Sequence, residues 1–466
     1  MKSNTIFRKK RQTGTNMTEG NAFGLILRFA VPLFIGNIFQ QVYNMVDSIV
    51  VGRFVSSDAL AAVGCGASPF GFFMTLIQGF TVAASVLISQ AYGSGNKKQL
   101  RSAYITSSAI TMAAGILLTI GGSLIARPLL ILLKTPPNVL DQSVIYLRTV
   151  CIGLLATCLY NTMASCLRAV GNSMIPLYAL IFTSLMNVAL DLLFVISFGM
   201  GVFGVALATV LSQLVSGLLC LVYAVRYFPE FSLHNIAGSL RRQMAAEVMR
   251  IGIPSSLQSS IVSISAMCMQ RAVNSYGSVV TAGYTIGNRT DQLFFCLSFA
   301  IGLAVGTFAG QNAGAGNYDR VREGMKKGFV ISTVYTLATA AILIPLAPQI
   351  CSIFTSEAPV IAVAVPYCRL MSAFAPMLGM VFIYQNVLRS CSDIAPTVWM
   401  SITEVTSRAI LPFVFSALWG YMGIWWATPV GWTASVIIGF LRFRSGKWVQ
   451  KSRRTQERLE EKSAKT

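Results

Sequence analysis

The chain has 466 residues, of which 54% are hydrophobic and 11% charged, and its mean hydropathy is +0.65. A soluble protein carries roughly a quarter charged residues, so this composition excludes a soluble globular domain and predicts an integral membrane protein. The formal net charge of +20 does not indicate a nucleic-acid-binding protein, because Lys and Arg lie in short segments between apolar stretches.

The N-terminal residues MKSNTIFRKKRQ are basic, and the first apolar stretch after them is long and contains Pro32, Asn37 and Asp47. It lacks the short apolar core and the small-residue cleavage site of a signal peptide. We therefore expect a membrane helix that stays in the protein.

Apolar runs long enough to cross about 30 Å of hydrocarbon predict twelve transmembrane helices. The first six fall at about 24–52, 59–92, 102–126, 139–167, 173–198 and 202–226. The second six fall at about 248–275, 279–312, 328–348, 360–389, 395–418 and 421–442. The predicted fold is therefore an all-α polytopic membrane protein.

The polar stretch between the two sets of helices divides the chain. The predicted organisation is an N-terminal tail (1–20), an N-lobe of helices 1–6 (21–226), a connector (227–247), a C-lobe of helices 7–12 (248–443) and a C-terminal tail (444–466). The charged C-terminal tail is expected to be helical and solvated.

The distribution of Lys and Arg predicts the orientation of these helices. One side of the membrane collects Arg8, Lys9, Lys10, Arg11, Lys97, Lys98, Arg101, Arg168, Arg241, Arg242, Arg320, Arg322, Lys326, Lys327, Arg389 and Arg442. The other side has little beyond Arg53, Arg127 and Lys134. The positive-inside rule therefore predicts a multi-pass protein of the cytoplasmic (inner) membrane with both termini in the cytoplasm.

The two halves of the chain repeat each other. The segment QAYGSGN at 90–96 recurs as QNAGAGN at 311–317, an offset of 221, and Leu167-Arg168 recurs as Leu388-Arg389 at the same offset. Pro32 and Pro254 match at an offset of 222. Each repeat holds an even number of helices, so the copies share one orientation and enclose a central cleft, as in parallel-repeat transporters.

The whole chain from about residue 20 to 443 resembles the multidrug and toxic compound extrusion (MATE) family. The resemblance rests on PLFIGNIFQQVYNMVDSIVVGRF at 32–54, DALAAVG at 58–64, the paired segments QAYGSGN and QNAGAGN, NVALD at 187–191 and GVALAT at 204–209. It implies two six-helix lobes in a V shape and antiport of drug-like cations against protons or sodium. The expected partners are amphipathic, mostly cationic small molecules and the lipid bilayer. We expect no cofactor, and we expect the protein to be a monomer.

Four polar side chains reach a similar depth in the outer half of the predicted N-lobe. Asp47 lies about 8 Å below the outer end of helix 1, Asp191 about 11 Å below the end of helix 5 and Thr209 about 12 Å below the start of helix 6. Asn187 lies one turn deeper than Asp191 on the same helix face.

A carboxylate in mid-bilayer costs about 2.5 to 3.5 kcal/mol on insertion scales, so it is rarely idle. Oxygen ligands at one depth suit a sodium ion or a carboxylate-bound proton. One bacterial and archaeal branch of the similar family carries the same residue types at the matching places, which implies a coupling-ion role for Asp47, Asn187, Asp191 and Thr209. The alternative is a polar network that only locks helix 1 to helices 5 and 6.

The predicted C-lobe differs from another branch of that family, which places acidic coupling residues in helices 7 and 10. Here no Asp or Glu occurs between Glu247 and Asp291 or between Glu357 and Asp393, and Arg408 lies close to the repeat position of Asn187. We therefore expect coupling in the first lobe only. Asp291 is predicted to form a structural ion pair with Arg408, with a role in coupling or substrate binding as the alternative.

A cleft for flat cations needs apolar walls, aromatic faces and few fixed charges. The candidate cleft residues are Gln40, Tyr43, Asn44, Asn161, Met163, Met267, Gln270, Tyr284, Tyr384 and Gln385. Methionine and tyrosine at helical spacing are also typical of packing. Pro32 is expected to bend helix 1.

Two other functions are alternatives to export. A lipid-linked saccharide flippase of the same superfamily would show fourteen spans and several basic residues in its cavity, whereas acid predominates in the first lobe here. A membrane enzyme would need a metal or nucleophile constellation. The chain has one histidine, His234, and its ten cysteines form no CxxC pair, so neither a zinc site nor a His-based catalytic centre can be assembled.

Overall fold

A computed structural model describes residues 14–232, 234 and 236–461 of the chain. The basic cluster at 8–11 and the last residues of the predicted C-terminal tail, 462–466, lie outside the described residues. Within the described ranges the chain is helical and contains no β-strand.

The helices follow one another with short connections. In the first half they are α1 (Ala22–Phe54), α2 (Ser57–Gly93), α3 (Lys97–Leu132), α4 (Pro137–Ile152), α5 (Leu154–Ala169), α6 (Met174–Leu192) and α7 (Gly201–Tyr227). In the second half they are α8 (Arg242–Asn274), α9 (Ser278–Gly314), α10 (Tyr318–Ser352), α11 (Ala358–Ser390), α12 (Ile394–Trp419), α13 (Tyr421–Arg444) and α14 (Lys447–Glu461).

Ten of the described helices are long and apolar enough to cross a membrane, and α4 and α5 together make an eleventh span. The predicted span at 395–418 corresponds to α12, which has 26 residues but is not among the spans that qualify by apolarity. It contains Glu404 and Arg408, which form an ion pair. The prediction of a polytopic, all-α membrane protein with two repeated lobes is confirmed.

The predicted span at 139–167 is interrupted, which the apolar pattern did not reveal. Its two parts, α4 and α5, meet at Gly153 with a bend of 44°. At this point α7 comes so close that a Cβ on Gly153 would overlap the side chain of Val210. The bend therefore follows from close packing between helices rather than from a proline.

The first helix of each lobe starts against the opposite lobe. The beginning of α1 belongs to the hydrophobic core of the C-lobe, where Ile26 and Phe29 are buried. The beginning of α8 belongs to an N-lobe core, where Val248 and Ile251 are buried. α1 thus packs on α9 and α10, and α8 packs on α2 and α3.

The two repeated segments meet where the lobes touch. A Cβ on Gly93 would overlap the backbone of Gln311, and a Cβ on Gly314 would overlap the backbone of Gln90. The two glutamines also bond across the interface: Gln90 donates to the Ser390 carbonyl at 2.6 Å, and Gln311 donates to the Ala169 carbonyl at 2.9 Å. These contacts close the end of the molecule predicted to face the cytoplasm.

Residues 14–17, which precede α1, cross the contact between the two lobes at this end of the molecule. Thr15 donates its backbone N–H to the Gly171 carbonyl of the N-lobe at 3.4 Å. Met17 is fully buried, and its backbone N–H donates to the Gln311 side chain of the C-lobe at 2.9 Å. Residues 14–17 therefore tie one lobe to the other.

The C-terminal tail is helical, as predicted, but it is solvated on one face only. Trp448 of α14 is fully buried and stacks on Phe443 with ring centroids 4.9 Å apart. Gln456 donates to the Ala313 carbonyl at the end of α9, at 2.5 Å. One face of α14 covers the C-lobe beside the closure.

The closure can be tested at its glycines. Gly93→Ala and Gly314→Ala should push the lobes apart at this end, because the new methyl group would overlap the opposite backbone. Gly121→Ala is the matched control, since a Cβ there meets nothing within 4 Å. In a cysteine-free background, spin labels at Lys98 and Asp319, both exposed, should report longer distances for the first two variants only.

Identical distance distributions in all three variants and the parent protein would contradict the tight glycine contact.

Candidate functional site

The four residues predicted for the coupling ion come together in the N-lobe. Asp47 lies on α1, Asn187 and Asp191 on α6 and Thr209 on α7, and these three helices contact one another. Asn187 and Asp191 are fully buried, and Asp47 is half-buried. A cluster of valines (Val50, Val51, Val195, Val202 and Val205) packs beside them.

The amide of Asn187 connects the two carboxylates. Its orientation is assigned from the surrounding hydrogen-bond network, with the nitrogen toward the acids. The nitrogen then donates to Asp47 Oδ1 at 2.9 Å and to Asp191 Oδ2 at 3.2 Å, and the amide oxygen accepts from the Thr209 backbone N–H at 3.2 Å. One side chain thus links α1, α6 and α7.

The hydroxyl of Thr209 points back to its own helix, where it donates to the Val205 carbonyl at 3.1 Å. The Tyr43 hydroxyl interacts with Asp47 and with Thr209, and Tyr146 also lies near both carboxylates. Sequence reasoning placed Tyr43 in the cleft and did not find Tyr146. The spacing of four between Tyr43 and Asp47, which puts both on one helix face, was the available signal for the first.

The site has an oxygen without a partner. Asp191 Oδ1 is buried and accepts no hydrogen bond from any described residue. Leaving a buried charged oxygen without a donor is costly, and a proton or a sodium ion at this oxygen would remove that cost. The side chains around it offer oxygens, which hard cations prefer; among the described residues no group of three His, Cys, Asp or Glu side chains suits a metal ion.

The chain changes its helical geometry next to this site. One π-helical turn, Leu193–Ser197, follows α6 directly, two residues after Asp191. Such turns are rare and occur often at functional sites. Here the turn fixes the direction in which the chain leaves Asp191 toward α7.

The C-lobe charges pair differently from the prediction. Arg408 forms its ion pair with Glu404, one turn away on α12, at 3.1 Å, rather than with Asp291. Asp291 Oδ2 instead accepts from the Tyr367 hydroxyl at 2.8 Å. Sequence reasoning overlooked Glu404, although its spacing of four from Arg408 is the usual signal for a pair on one helix face.

Two adjoining cavities lie between the lobes, and most of the wall of the second belongs to the C-lobe. The first, of about 270 Å³, is the interlobe cavity, and helices α1, α2, α5, α6, α9 and α11 supply its walls. The second, of about 770 Å³, is the C-lobe cavity, which contains Asp291, Glu404 and Arg408. Phe299, Asn386 and Arg389 line both cavities.

The predicted cleft residues divide between these cavities and other places. Gln40 and Asn161 line the interlobe cavity, and Tyr284 and Gln385 line the C-lobe cavity. Pro32 also lines the interlobe cavity.

The other predicted cleft residues lie in neither cavity. Met163 and Tyr384 are buried in the hydrophobic cores, so they pack rather than face the cleft. Met267 is exposed, and Gln270 donates to Asn274 on its own helix at 2.7 Å. Asn44 is exposed on α1.

Comparison with known proteins identifies the relatives of this chain. A family model described as MatE matches residues 32–193 and 254–414, so the family pattern occurs twice, at the spacing of the internal repeat. The protein named "Probable multidrug resistance protein YpnP" of Bacillus subtilis is 28% identical over 93% of this chain and 97% of its own length. The "Probable multidrug resistance protein NorM" of Thermotoga maritima is 25% identical over 94% and 95%.

The fold also matches solved structures. A structure titled "Crystal structure of MATE in the bent conformation" superimposes with a TM-score of 0.88 at 21% identity, over 96% of this chain and all of that chain. The two curated relatives are named as probable multidrug resistance proteins, which does not favour the flippase alternative.

The bridging amide generates a test of stability. Asn187→Ala should lower the melting temperature, because it removes hydrogen bonds to charged groups worth about 1.5 to 3 kcal/mol each and leaves two carboxylates facing each other. Adding Asp47→Asn should restore part of the loss, since the like charge is then removed. Asn161→Ala is the control, because that amide donates only to the Thr157 carbonyl of its own helix.

Additive effects of Asn187→Ala and Asp47→Asn in purified protein would contradict the shared network.

Proposed function

Because this chain belongs to the multidrug and toxic compound extrusion (MATE) family, we propose that it is a secondary active exporter, which moves amphipathic organic cations out of the cell in exchange for protons or sodium ions. The observation that carries the proposal is the pair of N-lobe carboxylates joined by the Asn187 amide. We place both termini of this multi-pass membrane protein in the cytoplasm, in line with the positive-inside rule.

In this proposal the coupling ion binds at Asp47 and Asp191. Two carboxylates that share one amide in water-poor surroundings resist being ionised together. A proton or a sodium ion arriving from outside relieves this repulsion and satisfies the free Oδ1 of Asp191. Asn187 holds the two acids at the distance at which one ion serves both.

In this proposal, binding of the ion alters the cleft by moving α1. The beginning of this helix is fixed in the C-lobe core, whereas its end carries Asp47 and packs with the N-lobe valines. Pro32 lies between the two parts, inside the helix and in the wall of the interlobe cavity. Since proline removes a backbone hydrogen bond, α1 bends most easily there, and a bend narrows the cavity and expels the bound cation.

The N-lobe carboxylates of this proposal differ from the C-lobe carboxylates in their partners. Glu404 is neutralised by Arg408, and Asp291 is held by Tyr367. We assign coupling to the N-lobe and a structural or substrate-contacting role to Asp291 and Arg408.

Neutralising the coupling acids tests this function. Asp47→Asn and Asp191→Asn should retain membrane insertion but lose gradient-driven efflux of rhodamine 6G from proteoliposomes by roughly tenfold or more, because interactions of 1.5 to 3 kcal/mol with the ion are lost. Proton and sodium gradients are imposed separately, which identifies the ion. Asp141→Asn is the control, since that acid is exposed and pairs with Arg127.

Full efflux by both Asp47→Asn and Asp191→Asn would exclude the N-lobe site and leave Asp291 of the C-lobe cavity as the remaining candidate.

A further inference from the structure

The interlobe cavity carries positive charge, which a pocket for simple cations would not. Arg168 and Arg389 line it, and no Asp or Glu occurs among the described residues of its wall. The other polar residues of the wall, among them Gln40, Asn161 and Asn386, carry neutral amides or hydroxyls.

Neither arginine has an acidic partner in the part of the chain that the structure describes. No carboxylate oxygen of a described residue lies within 4.0 Å of either guanidinium. Arg389 donates to the neutral Gln258 side chain at 2.9 Å, and its buried Nε has no partner among the described residues. By contrast, Arg408 pairs with Glu404 and Arg442 with Asp393.

The two arginines are equivalent positions of the repeat, 221 residues apart. Each lies in the last turn of its helix, α5 or α11. The partial negative charge of a helix C-terminus stabilises a cation there, which explains how the fold keeps both guanidiniums charged without a carboxylate. One positive group from each lobe therefore faces the same cavity, at the end where the lobes meet.

We propose that Arg168 and Arg389 form an anion subsite of the cleft, which binds the carboxylate of a zwitterionic amphiphile. Guanidinium groups match carboxylates with strong, charge-assisted hydrogen bonds. The apolar body of the ligand lies on Phe299 and Leu303, which line both cavities. Its cationic group then reaches the adjoining C-lobe cavity, where Asp291 has no ion-pair partner among the described residues.

This inference rests on the proposed export function and names its substrate class: flat amphiphiles with one cationic and one anionic group. The subsite favours zwitterions over monocations of the same shape. A monocation can still lie on the apolar wall of the cleft, but it leaves both arginines without a counter-charge.

Two dyes that differ in one carboxyl group test the subsite. Rhodamine 6G is the ethyl ester, a cation, and rhodamine 19 is its free acid, a zwitterion. Binding of each to the purified full-length protein is measured by fluorescence anisotropy. Arg168→Gln and Arg389→Gln should weaken binding of rhodamine 19 by about tenfold or more, because a charge-assisted contact is lost, and should leave binding of rhodamine 6G unchanged or tighter.

Two controls keep the test informative. Arg369→Gln removes an exposed arginine that donates to the Ile344 carbonyl, and it should affect neither dye. Arg168→Lys and Arg389→Lys keep the charge and should retain most of the affinity for rhodamine 19, even if the glutamine variants do not fold.

The outcomes separate the two proposals. Equal effects on both dyes, no effect on rhodamine 19, loss of its binding in the lysine variants as well, or wild-type protein that binds only the ester would overturn the subsite. Export of rhodamine 6G under a gradient would still support the proposed function in those cases. If the arginines discriminate the dyes as expected but neither dye is exported, the subsite stands and the export proposal fails.

Discussion

The hydrogen bonds of one amide group hold together the part of the molecule on which the rest depends. Asn187 donates to a carboxylate of α1 and to one of its own helix, so α1 is tied to the N-lobe through two acids that resist joint ionisation. The other end of α1 lies in the core of the C-lobe. A change of charge at the two acids therefore acts on a helix that contacts both lobes. Pro32 lies between the part of α1 in the C-lobe core and the part that carries Asp47.

The charges of the molecule are distributed unequally over its three internal spaces. Among the described residues, the N-lobe site contains two acids and no Lys or Arg in an ion pair with them, the C-lobe cavity contains Asp291 and the ion pair of Glu404 with Arg408, and the interlobe cavity contains two arginines and no acid. In the proposed mechanism the coupling ion binds at the N-lobe acids, and the substrate binds in the cavities between and beside the lobes. They need not compete for one carboxylate, and coupling can pass through the position of α1.

The sequence predicted how deep a side chain lies in the membrane better than it predicted the direction in which the side chain points. The rise per residue of a helix is constant, so counting from the helix ends was enough to expect Asp47, Asn187, Asp191 and Thr209 at one level, and the structure brings them together. The rotation of each helix depends on packing between helices, so Met163 and Tyr384 were expected in the cleft but lie in the cores. The repeat offset located the lobes and the closure, since each copy must fold in the same way.

Features that depend on which neighbouring residue or helix a side chain contacts were not predictable from the sequence in the same way. Arg408 had two acids within reach, and the nearer one on its own helix, Glu404, forms the pair. The break at Gly153 depends on the approach of α7, which no local pattern reports. Burial of Trp448, at the start of the C-terminal helix, depends likewise on a distant surface.

The most direct test of the coupling account is the ion released when substrate binds. Purified protein is loaded with radioactive sodium or equilibrated in weakly buffered solution with a pH indicator, and rhodamine 6G is added. Wild-type protein should release sodium ions or protons as the dye binds, and Asp47→Asn should bind the dye without any release; equal release from both proteins, or none from the wild type, would contradict the account.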